Sequence, residues 1–257
     1  MAQNSKEHGA VVYDLVLHAY TDGVSLSGSS LVKFWPLEFI VCQISPHVRF
    51  RFVLIAGIWV DKTDPLMNSY LLPFTDELID LYENGVTWTH PKSKIEFTAK
   101  VSVPGFCGDA PVRAQGQNLT QHGGRNCCNI CEQKMVRCRR EGTDEKKRVF
   151  TFKETNSRLR TAERMELQGK ETMKMKREGR RKHVKLCKGV KGRSVIPSVP
   201  CFDRSTAFYP EYMHIVLGLV KQFLNLFFET KRQDVWSLKD HKDDISTLLT
   251  DIKVLDY

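Results

Sequence analysis

No apolar run in this chain is long enough to cross a bilayer. The longest, Phe52 to Val60, falls well short of the roughly 20 residues that a spanning helix needs. The N-terminus from Met1 to Ala10 is polar and offers no apolar leader. The chain is therefore expected in a soluble, reducing compartment and away from membranes, with its 8 cysteines as thiols or metal ligands rather than disulfides. Large apolar residues are scarce between Lys134 and Arg193, and acids are outnumbered there. That stretch holds 22 Lys/Arg against 8 Asp/Glu, a local +14 within a chain of formal net charge +9, so the remainder is mildly acidic. Positive charge confined to one region points to a polyanion partner, nucleic acid first; the alternative is a solvated basic helix with no specific ligand.

A hydrophobic content of 41% over 257 residues is enough for one sizeable domain carrying an insertion. Val11 to Tyr20 is β-branched and apolar and predicts a strand ending at Thr21-Asp22-Gly23. Leu31 to Ile44 and Phe50 to Trp59 predict two more strands, with a turn at Ser45-Pro46-His47. From Pro73 to Asn84 the period becomes helical, with Gly85 placed to end the helix. Lys94 to Val103 alternates again as a strand and runs into Pro104 and then Asp109. After the basic insertion, Pro210 to Phe228 predicts an apolar helix with Pro210 in its first turn and Lys231 and Arg232 near its end. Ile245 to Ile252 predicts one last amphipathic helix. The expected division is 1–133, the basic insertion 134–193, and a helical remainder 194–257.

An order of three strands, a helix and a strand, with an Asp just past the first and fourth strands, suits a ribonuclease-H-like layout. There the two strands are neighbours, and their ends bring Asp22 and Asp109 together. Paired carboxylates bind hard divalent cations through oxygen, and two such ions can drive phosphodiester chemistry. A third carboxylate usually completes the site. Asp22-Gly23 is equally a turn dipeptide and Asp109 equally a helix cap.

Six ordered segments resemble one family. They are Asp22-Gly23-Val24 with Trp35-Pro36-Leu37, then Ile55-Ala56-Gly57-Ile58-Trp59, then Met67-Asn68 through Pro73-Phe74 with Glu77-Leu78. Asp109-Ala110-Pro111-Val112-Arg113-Ala114, Gly189-Val190-Lys191-Gly192-Arg193-Ser194, and Tyr212-Met213-His214 with Leu217-Gly218-Leu219-Val220-Lys221 follow. Together they are similar to DDE-type DNA transposases of the CACTA (En/Spm, tnp2-like) group. The resemblance implies an α/β fold, with a ribonuclease-H-like mixed sheet flanked by helices and a basic, Cys-containing insertion. It implies Asp22 and Asp109 as the first two catalytic acids, Mg²⁺ or Mn²⁺ as cofactor, and transposon-end DNA as substrate, with a homo-oligomer as a further expectation. The family's Asp before its signature His is Glu211 here, with His214 retained. Either Glu211 serves as third ligand or the site is incomplete; Glu211 reads otherwise as a helix first-turn charge and His214 as a core histidine.

Cys128-Asn129-Ile130-Cys131 has the spacing of half a zinc site, and the family has a similar pair. His183 and Cys187 offer a second half, with Cys127, Cys138 and His122 as competitors, or the thiols carry no ion. Cys42, Cys107 and Cys201 read as core. Arg180, Arg181, Lys182, Lys185, Lys188, Lys191 and Arg193 are the expected DNA-contacting cations, and Arg180-Arg181-Lys182 suggests a nuclear location. Three readings stand open: metal-dependent cleavage and strand transfer, a nucleic-acid-binding remnant of a transposable element without catalysis, or a bare structural remnant with no retained activity.

Overall fold

The computed structural model describes residues 6–7, 10–25, 31–139, 146–150, 157–178, 187–229 and 237–250. They form two compact units, residues 1–209 and 210–257. The first is an α/β unit with a mixed sheet flanked by helices.

Strand β1, Ala10–Thr21, is the sheet's centre. Strand β2, Lys33–Val41, pairs antiparallel with β1, and β3, Leu54–Asp61, pairs antiparallel with β2. Helix α1, Met67–Glu83, then leads through β4, Val86–Thr89, to the long strand β5, Glu96–Gly108. β5 returns to β1 and pairs with it in parallel, while β4 lies antiparallel on the outer side of β5. Helix α2, Ala110–Gly116, follows directly from β5. A two-stranded ribbon, β6 (Val136–Arg139) and β7 (Lys146–Val149), and helix α3, Ala162–Arg177, make up the basic region. Strand β8, Phe208–Pro210, closes the sheet beside β5.

Three prolines explain where element boundaries depart from the sequence pattern. The alternation predicts that β5 stops at Val103, but the strand continues to Gly108. Val16 is opposite Ser102 and His18 opposite Gly105, so β5 holds one extra residue at Val103–Pro104. Proline has no N–H to give the ladder, and a bulge accommodates it without ending the strand. Helix α1 begins at Met67 and runs through Pro73, where the sequence period places its start. The helix is held there by burial of Met67, Tyr70 and Leu71, and by Tyr70 Oη donating to Trp35 O at 2.8 Å. Pro210 ends β8 and does not open a helix. Between β2 and β3 a single helical turn, Pro46–Arg49, replaces the expected simple turn.

One face of the sheet carries the core. Leu17, Ala19, Leu37, Phe39, Val101, Val103 and Phe106 pack against α1 and against Ile196, Val199, Phe202 and Phe208. A second, smaller cluster joins Ala114, Leu119, Met165 and Val190. The basic region is thus partly core: Met165 on α3 is fully buried, although so charged a segment reads as solvated.

In the second unit, the apolar segment opens with a π-helical turn, Met213–Leu217, and continues as helix α4, Gly218–Phe228. Helix α5, Lys242–Thr250, follows. Lys231, Arg232 and Ile252 lie outside the described residues. No described helix is long and apolar enough to cross a membrane.

Leu37, 1% exposed at the centre of the sheet, should dominate stability over any surface leucine. We predict that Leu37→Ala costs about 3 kcal/mol in denaturant unfolding. Leu167→Ala, at a position 64% exposed on α3, should cost less than about 0.5 kcal/mol. Equal losses would contradict the assigned core.

Candidate functional site

Asp22 and Asp109 are each the first residue beyond a strand, β1 and β5 respectively. These strands are parallel neighbours, and their last register pair is Tyr20 with Cys107. Two residues further on each, the aspartates leave the same edge of the sheet, where neighbouring strands stand about 4.8 Å apart. The bulge at Pro104 controls the facing. Before it, odd-numbered β5 residues (Ala99, Val101, Val103) are buried; after it, Phe106 joins the core with Gly108 on its side, while Gly105 is buried against Tyr209. Asp109 is thereby carried to the face opposite the core, the face to which alternation along β1 assigns His18, Tyr20 and Asp22.

The ladder between β1 and β2 breaks at the first acid. Thr21 pairs with Leu37, and pairing resumes at Val24 with Phe34, leaving Asp22–Gly23 against Trp35–Pro36. Thr21 Oγ1 donates to Pro36 O at 2.6 Å, and Gly23 lies where a Cβ would strike the Trp35 ring at 2.5 Å. Asp22 Oδ1 accepts from Gly23 N at 2.7 Å, as a turn aspartate does. Asp109 Oδ1 accepts from Val112 N at 2.7 Å and caps α2. Both bland readings of these residues therefore hold, and they coexist with the juxtaposition.

Tyr20 reports the combined field. Its phenol is pushed up to about 12, first by burial and then by the charges of Asp22, Cys107, Glu38 and Asp109. Tyr20 pairs with Cys107 on one side and with Glu38 on the other, so one row across the sheet places a thiol, a phenol and a carboxylate beside the aspartates. Beneath them is a hollow of about 350 Å³ lined by His18, Tyr20, Glu38, Ile40, Cys107 and Tyr209. Tyr209 Oη meets His18 Nδ1 at 2.7 Å. Burial, then the charge of Arg49, lowers the His18 pKa, which favours a neutral imidazole. Arg113, one turn into α2, supplies a cation. Burial lowers its pKa, and the charges of Asp109, Cys107 and Cys128 act in the other direction. The sequence reading missed Tyr20, Glu38 and Arg113; alternation along β1 already placed Tyr20 on the face of Asp22, two residues before it.

The cysteines form half of the expected arrangement. Cys131 N donates to Cys128 Sγ at 3.4 Å, the turn of a two-cysteine knuckle. Burial, and the neighbouring Cys128, push the Cys131 thiol up. Cys187 turns to α3, where its thiol lies 2.9 Å from Glu171 Oε2 and is pushed up to about 11 by burial and that carboxylate. Cys127 contacts Met135, and Cys138 is exposed on β6. Cys42 and Cys107 are half-buried, whereas Cys201 is exposed beside Tyr82, a correction to its reading as core. Among the described residues, no three His, Cys, Asp or Glu side chains converge as a metal site.

Of the expected DNA-contacting cations, Arg180, Arg181, Lys182 and Lys185, together with His183, lie outside the described residues. Lys188 is exposed, Lys191 is half-buried, and Arg193 Nε pairs with Glu166 Oε1 at 2.7 Å. In the second unit, the Glu211 carboxylate contacts His214 Nδ1 one helical turn away; Glu211 is buried and His214 exposed, so His214 is not a core histidine. The helix begins beyond Glu211, which therefore precedes its first turn.

Compared with known proteins, the chain matches no family model and no curated protein.

The Tyr20 field gives a test free of any assumption about activity. The folded phenol keeps its proton to about 12, while the unfolded one loses it near 10. Stability is therefore expected to fall as pH rises through that interval. Asp22→Asn and Asp109→Asn should each lower the Tyr20 midpoint in an ultraviolet titration, with Tyr20→Phe identifying the signal. A midpoint that neither substitution moves would place the two carboxylates out of reach of this phenol.

Proposed function

We propose that the chain is a DNA-binding domain of ribonuclease-H-like, transposase type, of the CACTA (En/Spm, tnp2-like) group, in which Asp22 and Asp109 are two acids of a divalent-metal centre. The observation that carries this reading is the parallel pairing of β1 and β5, with an aspartate just past the end of each strand. The strand order β3-β2-β1-β5-β8 supports it, since β1 is antiparallel to β2 and parallel to β5, as that layout requires. The local +14 from 134 to 193 supports a polyanionic partner. A nuclear location belongs to the same proposal.

The donor set fits a divalent ion in part. Asp22 and Asp109 are hard oxygen ligands at one edge, but one oxygen of Asp109 is engaged in the α2 cap. The described residues bring no third acid into a converging group, and Glu211 is engaged with His214 in the other unit. A complete two-ion centre is therefore not assembled from the described residues, and DNA binding is the reading they carry furthest. For zinc, Cys128 and Cys131 supply two of the four ligands that a tetrahedral ion needs. A second reading, the working nuclease and strand transferase, is favoured by one observation: both aspartate charges act on the single phenol of Tyr20.

Both readings predict binding of labelled duplex DNA that weakens steeply with salt, because neutralised phosphates release counterions. Mn²⁺-dependent nicking of plasmid should be the same for wild type and Asp109→Asn if the centre is incomplete. Nicking that is present in wild type and lost in Asp109→Asn would establish the enzyme instead. Absent or salt-independent DNA binding would sink the proposal in both forms.

A further inference from the structure

The ribbon β6–β7 sets like charges directly opposite each other twice. Arg137 pairs with Arg148, and Arg139 pairs with Lys146. Opposed residues of an antiparallel pair share a face, as do residues two apart along one strand, so all four cationic side chains point the same way. All four are exposed, and neither strand contains an acid. Like charges directly across a sheet repel, and a lone two-stranded ribbon has little stability to spare. Folding alone favours an opposite charge or a Thr at one member of each pair. Two consecutive violations on one face make sense when a polyanion lies over that face.

The root of the ribbon is built to hold it in place. Arg160 N donates to Ile130 O and Glu132 N to Arg158 O, both at 2.9 Å, and Cys131 bridges to Leu159. Residues 130–139 thus run antiparallel to 157–160 at the root and to 146–149 in the ribbon. Met135 N donates to Arg125 O at 2.7 Å, and Arg148 Nη1 donates to Gly123 O at 2.5 Å. The Arg160 guanidinium binds the carbonyls of Asn126, Cys128 and Lys188, fixing the excursion to the body. At about 3.3 Å per residue, each four-residue strand is roughly 13 Å long. A two-stranded ribbon is slim enough to enter the major groove of B-DNA, about 12 Å wide.

We propose that β6–β7 is a DNA-contacting arm whose Arg137, Arg139 and Lys146 face the phosphates of a duplex, while Arg148 braces the arm at Gly123. The inference rests on the DNA-binding reading above and adds the surface that makes the contact, one apart from the Lys188, Lys191 and Arg193 segment. The test is fluorescence anisotropy with the full chain and a labelled DNA duplex of arbitrary sequence, across a salt series. Arg137→Gln/Arg139→Gln/Lys146→Gln should reduce the slope of log affinity against log salt by about 3, at roughly 0.9 per lost phosphate contact. All three side chains are exposed, so its melting temperature should hold. Should the triple variant melt lower, Lys146→Gln alone carries the test, with an expected slope change of about 1. If the wild type binds with a steep slope and the ribbon variants bind equally well, the arm is refuted while the DNA reading stands. If the wild type fails to bind the duplex, the DNA reading falls and takes the arm with it. A greater loss on duplex RNA than on DNA would overturn the assignment to DNA, since the deep, narrow A-form major groove excludes such a ribbon.

Discussion

The parallel pairing of Ala10–Thr21 with Glu96–Gly108, carrying one bulge at Pro104, is the constraint on which the candidate site depends. A strand's side chains alternate, so a single inserted residue reverses the facing of everything after it. Without the bulge, Val103 and Asp109 would share a parity, and the aspartate would follow the core valines. With it, Phe106 takes the buried role, and Asp109 emerges on the side of Tyr20. The long apolar β5 stabilises the sheet and aims the acid at the same time. The chemistry of proline, which cannot serve a central ladder, marks where the reversal occurs.

Two carboxylates at one sheet edge repel, and the local structure offsets that cost by familiar means. Asp109 sits at the N-terminus of α2, where a backbone N–H and the helix dipole favour its charge. Asp22 takes a backbone N–H in the turn to Gly23. Arg113 brings a guanidinium into the same field. These same interactions compete with a metal ion for carboxylate oxygens. Capping thus stabilises the two carboxylates where they stand and leaves fewer of their oxygens free for a hard cation.

The legible part of the fold lay in apolar runs and periods. β1, β2 and β3 followed from apolar runs bounded by turn residues, β5 from alternation, and the helix before Asn84 from its period, because burial on one face leaves that signature. The prolines hid the rest. Pro104 read as a strand end and Pro73 as a helix start, and in each case tertiary burial and a tolerated defect kept the element going. The juxtaposition of Asp22 and Asp109 could be anticipated from topology, while the Asp109 cap and turn at Asp22 stood beside it as alternatives; all are present together. Glu38 and Arg113 were not legible, because their place beside the acids depends on cross-strand register and on a helix exit angle. Cys187 was legible as a cysteine at a plausible spacing, but its partner, Glu171, comes from the packing of α3.

Charge density in the basic region also hid a division of labour that burial reveals. Arg160 within that region, and Arg204 beyond it, carry positive charge into the interior, where burial lowers their pKa and backbone carbonyls accept their hydrogen bonds. They act as staples. Removing either would leave several carbonyls without donors in a low-dielectric setting, a loss of structure before any loss of binding. The ribbon cations are the reverse case: Arg137, Arg139 and Lys146 are exposed and directly opposed by like charge on a braced root, and only Arg148 turns back to the body, at Gly123. A run of Lys and Arg in sequence does not separate these roles. Cross-strand register and burial do, and they turn a diffuse +14 into one internal clamp and one outward face.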